Sequence, residues 1–552
     1  MFFYLCKDER SNDYIGGKNM EKKLEQYDIN NLYKVLRRHD VEILKHYNCD
    51  EISDNDYFFY GINSDIVSNS LNILTNYLSG NIESAGVDLS ARTILEAMVI
   101  LKMDGSGDIS DNQKKIYRYL YAYVDADNFH SVLKDLPEGF EHESLKKLEE
   151  DKEKAKQAML EHFVCTEKDL KDRRISIDDP CFYLKQNLRD DIRFSKLLEK
   201  YPLGDGSEIR TYEFFSMFIH PRCEMDPEVQ ECLIGIRKTY IDQVLNYVYE
   251  YLKASNLLYY DEDALDFDHE FFYNPLLVNN VNSVKQFEYL INLIKNQVCN
   301  LPNGYDAFTW QFLERVRYLV IDMMISISLG YREHVIAIFR SFVEEYSVFY
   351  AIGSVETQED FNYIKKAYWI SSRIQLDAHF QELGIKGTST PEEEIKDIYE
   401  KYYKNKYKMD KYQSFYWELR RNSLFFLAKE KKSFNKYVRT LIKDAFVNDE
   451  NESKDVMTLY RISKDMSHAS GYNFNATAGM VDVSAQKVLL YTYKLLIHFV
   501  LSAYETLAEH NVKTNVSNII AFLQTLMSVH SDAIDKIFKE HMNFKYNNNP
   551  VS

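Results

Sequence analysis

An arginine and a histidine lie on one face of a predicted helix, Val456–Ser470, in the last quarter of the chain. Arg461 precedes His468 by seven residues, a spacing that places both side chains on the same side of a helix together with Lys464 and Asp465. Histidine moves protons near neutral pH, and arginine holds the non-bridging oxygens of a phosphate as charge develops. These residue types suit phosphodiester chemistry, and no metal ion is needed if the ribose 2′-hydroxyl is the nucleophile.

The Tyr-x7-His pattern of this helix occurs twice in the chain. Tyr460 precedes His468 by eight residues, and Tyr212 precedes His220 by the same distance. The two histidines, like the two tyrosines, are 248 residues apart.

A second motif, Arg-x3-Glu, is repeated with the same offset. Arg92 and Glu96 lie in one apolar predicted helix, and Arg340 and Glu344 lie in another, again 248 residues further along. Two separate motifs that share one offset indicate a duplicated domain, and the repeat is too long to be a solenoid unit.

The composition predicts an all-α protein built from two such repeats. The 552 residues are enough for several domains, 45% of them are hydrophobic, and the 18 glycines and 9 prolines are too few for a turn-rich β architecture. The predicted organisation is an N-terminal helical extension (1–60), repeat A (61–254), an acidic linker (255–280), repeat B (281–512) and a C-terminal helix (513–552).

Several element boundaries also follow from the periodicity. We expect the first helix at Met20–Tyr47 and an irregular linker throughout 255–280. The charged segment Leu145–His162 is expected to be a solvated helix. The C-terminal helix, Ser517–Phe544, is amphipathic, and two roles stay open for it: packing on the bundle or binding a partner.

The cysteines and the hydropathy pattern bear on localisation. The seven cysteines show no paired spacing, which is typical of a reducing cytoplasm and not of a disulfide framework or a zinc site. The most apolar segment, Val488–Tyr504, is interrupted by Lys494, so we expect a buried helix there and no membrane span. The sequence therefore predicts a cytoplasmic protein that needs neither a cofactor nor a metal.

The Arg-x3-Glu pairs have apolar neighbours, so we expect them to be at least partly buried. Buried charges are costly unless they are paired and hydrogen-bonded, and more polar partners should therefore reach them. The tyrosine and histidine of the same repeat are the natural candidates. Each repeat is thus expected to bring together one cluster, which is either a polar clamp between helices or a catalytic or ligand-binding site. The repeat A cluster would consist of Arg92, Glu96, Tyr212 and His220.

A basic segment lies between the two motifs of repeat B. Residues Lys401–Lys443 contain thirteen lysines and arginines against three acids, in a chain whose formal net charge is −18. Basic residues neutralise phosphates and aromatic rings stack on unpaired bases, which suits single-stranded RNA or DNA. The alternative is a solvated helical hairpin with its rings in the core. The candidate substrate-binding residues are Lys404, Lys406, Lys408, Tyr407, Trp417, Arg420 and Arg421.

The Arg-x6-His pattern of repeat B resembles the signature of the HEPN superfamily of helical-bundle proteins, Arg-x4–6-His near the start of a late helix. Many HEPN proteins are metal-independent RNases of toxin, anti-phage and RNA-surveillance systems that work as dimers. The resemblance implies that Arg461 binds phosphate and that His468 is the acid/base. The sequence departs from the pattern at Ile462, where a polar residue is usual, and repeat A has Glu213 in place of the arginine.

Two functions are therefore expected from the sequence. The first is an RNA-binding, HEPN-like protein with metal-independent endoribonuclease activity in a bacterial defence or toxin system, for which the catalytic candidates are Arg461, His468, Tyr460, Arg340 and Glu344. The second is a non-catalytic helical scaffold or sensor whose clusters are structural braces. A homo-oligomer, or a protein partner bound by the C-terminal helix, is compatible with both.

Overall fold

A computed structural model of the chain describes most of the predicted helices. The described residues are 21–24, 26–47, 54–107, 194–219, 227–261, 275–298, 306–353, 434–466, 478–509 and 516–548, with isolated positions at 149–161, 267–268, 362, 368 and 380. Within these ranges the protein is all-α apart from one short ribbon, as the composition predicted.

The N-terminal half contains six described helices and both strands of that ribbon. Strands β1 (Glu21–Lys23) and β2 (Tyr259–Asp261) pair antiparallel, with Lys22 opposite Tyr260. The helices are α1 Ile29–Tyr47, α2 Asp54–Leu78, α3 Ala85–Gly105, α4 Phe194–Lys200, α5 Glu208–Ile219 and α6 Pro227–Ala254.

The C-terminal half contains the remaining seven described helices. They are α7 Pro275–Val298, α8 Asp306–Ser328, α9 Arg332–Gly353, α10 Phe434–Ala445, α11 Glu450–Met466, α12 Ala478–Glu509 and α13 Val516–Asn548. Helix α13 packs along α12, whereas α9 contacts α8, α10, α11 and α12.

Each half has its own hydrophobic core. One core gathers buried side chains from α1 to α6, and the other gathers those from α7 to α13. Three residues of the N-terminal half, Ala85, Leu89 and Ile219, pack into the C-terminal core. The halves therefore meet at the start of α3 and at the end of α5.

Two helix pairs near this junction are built alike. Helices α2 and α3 are joined by a turn in which Gly80 has φ +78°, and α8 and α9 by a turn in which Gly330 has φ +83°. Glycine adopts this left-handed conformation without the steric cost of a side chain. Helix α3 begins after Ser84, whose hydroxyl accepts a hydrogen bond from the Val87 amide as an N-cap.

Several boundaries differ from the sequence-based expectation. Helix α11 begins at Glu450 instead of Val456, and helix α2 crosses the boundary expected after residue 60. Residues 21–23 form a strand instead of the start of a helix, because they pair with β2 more than two hundred residues away. The predicted irregular linker contains β2, and its last residues already belong to α7, which begins at Pro275. Proline is well suited to a first helical position, where its missing N–H has no intrahelical acceptor. A further helix that the periodicity predicts, at 116–136, lies outside the described residues.

Candidate functional site

The N-terminal half brings Arg92, Glu96 and Tyr212 together. On α3, Nε of Arg92 donates to Oε1 of Glu96 at 2.9 Å. From α5, the Tyr212 hydroxyl donates to the same oxygen at 3.0 Å, and its ring lies 5.6 Å from the Arg92 guanidinium carbon. The cluster thus fixes α5 on α3 through one shared carboxylate oxygen.

The C-terminal half contains the same arrangement. Nε of Arg340 donates to Oε1 of Glu344 at 3.2 Å within α9. The Tyr460 hydroxyl on α11 donates to that oxygen at 3.1 Å. In both halves the tyrosine follows the glutamate by 116 residues.

Both clusters are buried. Glu96 and Glu344 are 0% and 1% exposed, and the arginines and tyrosines are also buried. Burial raises the pKa of Tyr212, so its phenol stays protonated at neutral pH and acts as a donor to Glu96. Each arrangement therefore acts as a brace between two helices. The predicted fourth members, His220 and His468, lie outside the described residues.

The two arginines lie within electrostatic reach of each other where α3 contacts α9. Burial lowers the pKa of Arg92, and the charge of Arg340 lowers it further. Tyr212 and Glu96 together raise this pKa by more, so the net shift is upward. The two clusters therefore lie on either side of the junction between the halves, and Arg92 keeps its charge.

Arg461 is placed differently from the residue before it. Tyr460 is 2% exposed and bonded to Glu344, whereas the Arg461 side chain is exposed to solvent on α11. Lys464 and Asp465 belong to the same helix, but their side chains lie outside the described residues. The N-terminal counterpart, Glu213, is half-buried. Helix α11 thus carries one residue of the buried cluster, Tyr460, and directly after it an arginine that faces solvent.

Most of the basic segment lies outside the described residues, including all seven of the candidate substrate-binding positions. Its last part is helix α10, in which Val438 and Leu441 are buried and Arg439 and Lys443 are exposed. Helix α10 contacts α9 and α11. The described end of the segment therefore packs against the helices that carry Arg340 and Tyr460.

One group of residues escaped the sequence analysis. Seven polar side chains form a continuous hydrogen-bonded network at the junction of the halves, which we call the polar seam. Its signal in the sequence was the asparagine spacing at 69, 72 and 76, which places the three on one face of α2. A single aspartate at 322 within an apolar run and a histidine at 334 at the start of another were further signals. The members are Asn69, Asn72, Asn76, Asn81, Ser90, Asp322 and His334.

Asp322 forms one end of the polar seam and caps helix α3 from the other half. Its Oδ2 accepts from the amides of Ala85 at 2.6 Å and Gly86 at 3.3 Å, and its Oδ1 accepts from Asn81 at 3.5 Å. Burial raises the pKa of Asp322 to about 7, although hydrogen bonds from the Ser84 side chain and from the Gly86 and Ala85 amides, together with the charge of Arg315, oppose the shift. The carboxylate satisfies amides that have no acceptor within their own helix.

The middle of the seam lies in the N-terminal half. Asn81 donates to Oδ1 of Asn76 at 3.1 Å, and Asn76 donates to Oδ1 of Asn72 at 3.1 Å. Asn72 in turn donates to Oγ of Ser90 at 2.9 Å. The seam therefore connects α2 with α3 before it reaches the other half again.

His334 forms the other end of the seam. Its Nε2 lies 2.8 Å from Oδ1 of Asn69 and 3.5 Å from Oγ of Ser90. The Asn69 amide nitrogen already donates to the Asp65 carbonyl, so its oxygen is the acceptor and Nε2 of His334 carries the proton. Burial lowers the pKa of His334 to about 4, which keeps the ring neutral.

Comparison with known proteins gives no relative from which a role could be transferred: no family model, curated protein or solved structure matches the chain. Among the described residues, no three His, Cys, Asp or Glu side chains are grouped so as to hold a metal ion. The helices described here include none with an apolar stretch long enough to cross a membrane.

Proposed function

We propose that the protein is an RNA-binding, HEPN-like protein whose C-terminal half is a metal-independent endoribonuclease acting in the cytoplasm. A setting in bacterial defence or as a toxin follows from the resemblance alone. The observation that carries the proposal is the exposure of Arg461 beside a buried, bonded Tyr460. The guanidinium faces solvent, where a phosphate can reach it, while the rest of the helix is held in place.

Helix α11 is anchored on two sides. Tyr460 bonds it to α9 through Glu344. Asp455 bonds it to α12, since its Oδ2 accepts from Lys487 at 2.7 Å and from the Tyr491 hydroxyl at 2.6 Å. Groups on a rigid helix hold a substrate in one geometry more accurately than groups on a loop do.

The proposed roles divide between an exposed and a buried set. Arg461 would bind the non-bridging oxygens of the scissile phosphate. His468 would take the proton of the ribose 2′-hydroxyl as the 2′-oxygen bonds to phosphorus, and would return a proton to the 5′-oxygen as its bond to phosphorus breaks. The products are a 2′,3′-cyclic phosphate and a 5′-hydroxyl. Arg340, Glu344 and Tyr460 would position α11 without touching the substrate.

Binding of the strand is assigned to the basic segment. The exposed Arg439 and Lys443 continue its positive charge onto α10, which contacts α11. Lysines and arginines release counterions from phosphates, and the interleaved rings can stack on unpaired bases. We therefore expect single-stranded RNA to be the preferred substrate.

The test is cleavage of a labelled single-stranded RNA in EDTA by four proteins: the parent, His468→Ala, Arg461→Ala and Lys454→Ala. Lys454 is a matched control because it is also an exposed cation on α11, paired with Glu450 at 3.4 Å. We expect the parent and Lys454→Ala to cleave equally, and the other two variants to lose at least a hundredfold in rate.

Equal rates in Arg461→Ala and Lys454→Ala would remove Arg461 from the site. Absence of cleavage by the parent over a range of RNAs would favour the second candidate function. Arg461 and Lys454 are exposed, so their alanine variants should unfold at the same temperature as the parent. The His468→Ala result is used only if its thermal midpoint also matches that of the parent.

The second candidate is a non-catalytic scaffold or sensor. It is favoured by the buried clusters, whose tyrosine–glutamate bonds are the same in the half that carries Glu213 as in the half that carries Arg461. A protein partner could then dock on α13, where Val529 is 57% exposed, or two chains could associate there. Reduced self-association of a Val529→Asp variant, in a protein whose parent cleaves no RNA, would support this second function.

A further inference from the structure

The contacts between α3 and α9 occur in pairs that exchange the two halves. A β-carbon at Gly86 would lie 3.5 Å from Cδ1 of Ile338, and Ser90 Oγ lies 3.5 Å from His334 Nε2. Adding 248 to Gly86 gives His334, and subtracting it from Ile338 gives Ser90. The second contact is thus the first with the halves exchanged.

The arginine pair follows the same rule, because Arg92 and Arg340 are each other's counterparts and lie within electrostatic reach. A contact between a residue and its own counterpart is expected on a twofold axis. Together the two close approaches and the electrostatic pair are those expected of halves related by an approximate twofold axis between α3 and α9.

The polar seam does not obey this symmetry. The counterpart of Asp322 is Leu74, and the counterparts of Asn72 and Asn76 are Val320 and Met324. One bond at the end of α5 is equally one-sided: Arg315 donates to the Phe218 carbonyl, but the counterpart of Arg315 is Val67. The neighbouring bond, from the Ser341 hydroxyl to the Ile219 carbonyl, is not, since the counterpart of Ser341 is Thr93. The halves are therefore related across the α3–α9 contact, but the polar side chains that join them differ between the two halves.

We propose that the α3–α9 face is selective: it accepts an N-terminal half paired with a C-terminal half and excludes a second copy of the same half. The occupant that fits the C-terminal face is thus the N-terminal half of the chain itself. The proposal uses the 248-residue correspondence and does not depend on nuclease activity.

Pairing of two C-terminal halves would leave polar groups unsatisfied. His334 would meet Ile338 and Arg317 in place of Ser90 and Asn69, so its Nε2–H would lose both acceptors. Asp322 would lie beside Glu333, the counterpart of Ala85, and two acids would share a buried site. Each penalty would occur twice in such a pair.

Pairing of two N-terminal halves would fail for the complementary reason. The amides of Ala85 and Gly86 would face Leu74, which cannot accept a hydrogen bond. The Phe218 carbonyl would face Val67, which cannot donate one. Unsatisfied buried groups oppose the wrong pairing, whereas one chain with one half of each kind pairs Asp322 with the two amides, Arg315 with the Phe218 carbonyl and His334 Nε2 with Asn69.

The first experiment measures urea unfolding of the full chain for the parent, Asp322→Leu and Asn63→Leu. Asn63 is the control because it is a half-buried polar residue whose bonds, to the Phe59 carbonyl and the Tyr251 hydroxyl, stay within the N-terminal half. We expect Asp322→Leu to raise the unfolding equilibrium constant at least tenfold more than the control does.

The second experiment mixes heavy- and light-isotope parent protein, unfolds and refolds the mixture, and weighs the products by native mass spectrometry. We expect single-chain masses, or dimers that form equally well with Asp322→Leu and so use another face. Mixed-label dimers in which chemical cross-links join α9 of one chain to α9 of the other would overturn the proposal, because the face would then accept two C-terminal halves. A loss of stability in Asp322→Leu no larger than that of Asn63→Leu would overturn it too.

Discussion

The two Arg–Glu–Tyr clusters have the same bonds and different neighbours. In each, an arginine and a tyrosine donate to one glutamate oxygen at 2.9–3.2 Å. The residue after the tyrosine is Glu213 in one half and the exposed Arg461 in the other. The comparison teaches that the buried cluster is a shared frame, and that the halves differ on the surface beside it.

A second difference lies at the junction of the halves. The C-terminal half contributes Asp322 and His334 to the polar seam, and the N-terminal half contributes amide and hydroxyl groups. The helix α3 that carries Arg92 and Glu96 is therefore capped by the other half. The helix that carries the N-terminal cluster thus depends on the C-terminal half for its cap. Among the described residues, no side chain of the N-terminal half caps α9 in the same way.

The largest expected effect comes from breaking one buried ion pair. Arg340→Ala would leave Glu344 charged and without its guanidinium, which costs about 3–5 kcal/mol. The double variant Arg340→Met/Glu344→Leu removes both charges and should cost far less, about 1 kcal/mol beyond its repacking. Urea unfolding of the two variants measures the difference.

The same pair of substitutions at Arg92 and Glu96 tests whether the clusters are equivalent. We expect Arg92→Ala to cost a similar amount, because the exposed fractions of the two arginines, 6% and 5%, are nearly the same. A loss below about 1 kcal/mol in one half only would show that the two frames are not alike.

The next effect concerns pH, through the two ends of the polar seam. Burial raises the pKa of Asp322 to about 7, so folding favours its protonated form; that contribution is complete below about pH 4 and is lost as the pH rises through 7. Burial lowers the pKa of His334 to about 4, so its contribution is complete above about pH 6.5 and is lost as the pH falls through 4.

The two slopes are opposite and overlap, so they should largely cancel in the parent between about pH 4 and 6.5. Asp322→Asn should unmask a loss of stability toward acid, and His334→Gln a loss toward neutral pH, each on the order of 3 kcal/mol over its range. Urea midpoints of the three proteins across this pH range decide the matter. Parallel curves for all three would contradict the opposed titrations.

Much of the frame could be predicted from the sequence, because it rests on local periodicity and on fixed spacing. The Arg-x3-Glu pattern gave the i,i+4 pair on an apolar helix, and the common offset pointed to Tyr212 and Tyr460 as the additional donors. Burial of these charges followed from their apolar neighbours. The all-α class followed from composition and period, and the duplication itself stays a prediction.

The polar seam could not be predicted, because it depends on which helices meet. Asp322 reaches Ala85 across 237 residues, and His334 reaches Asn69 across 265. No periodicity specifies such pairings, and the same is true of β1 with β2. The HEPN resemblance and the roles of Arg461 and His468 also stay predictions, since a motif does not establish a reaction.

A smaller effect is expected from removing one hydroxyl. Tyr460→Phe and Tyr212→Phe keep the rings but remove the hydrogen bonds to Glu344 and Glu96, each worth about 2 kcal/mol because the acceptor is charged. Thermal unfolding of both variants compares the halves directly. Tyr460→Phe should also slow RNA cleavage, because Tyr460 positions α11, whereas Tyr212→Phe should leave the rate unchanged; equal rates in both would separate the buried frame from the reaction.

The smallest effect on stability, and the sharpest on function, should come from exchanging the residues after the tyrosines. Arg461→Glu and Glu213→Arg change side chains outside both cores, so each should alter stability by about 0.5 kcal/mol or less. Loss of a phosphate contact should reduce the salt dependence of RNA affinity by about one unit of slope in Arg461→Glu. Glu213→Arg should not restore that slope in an Arg461→Glu background if the C-terminal half alone binds the strand. If Glu213→Arg did restore the slope, an arginine directly after the tyrosine would be sufficient for RNA binding in either half.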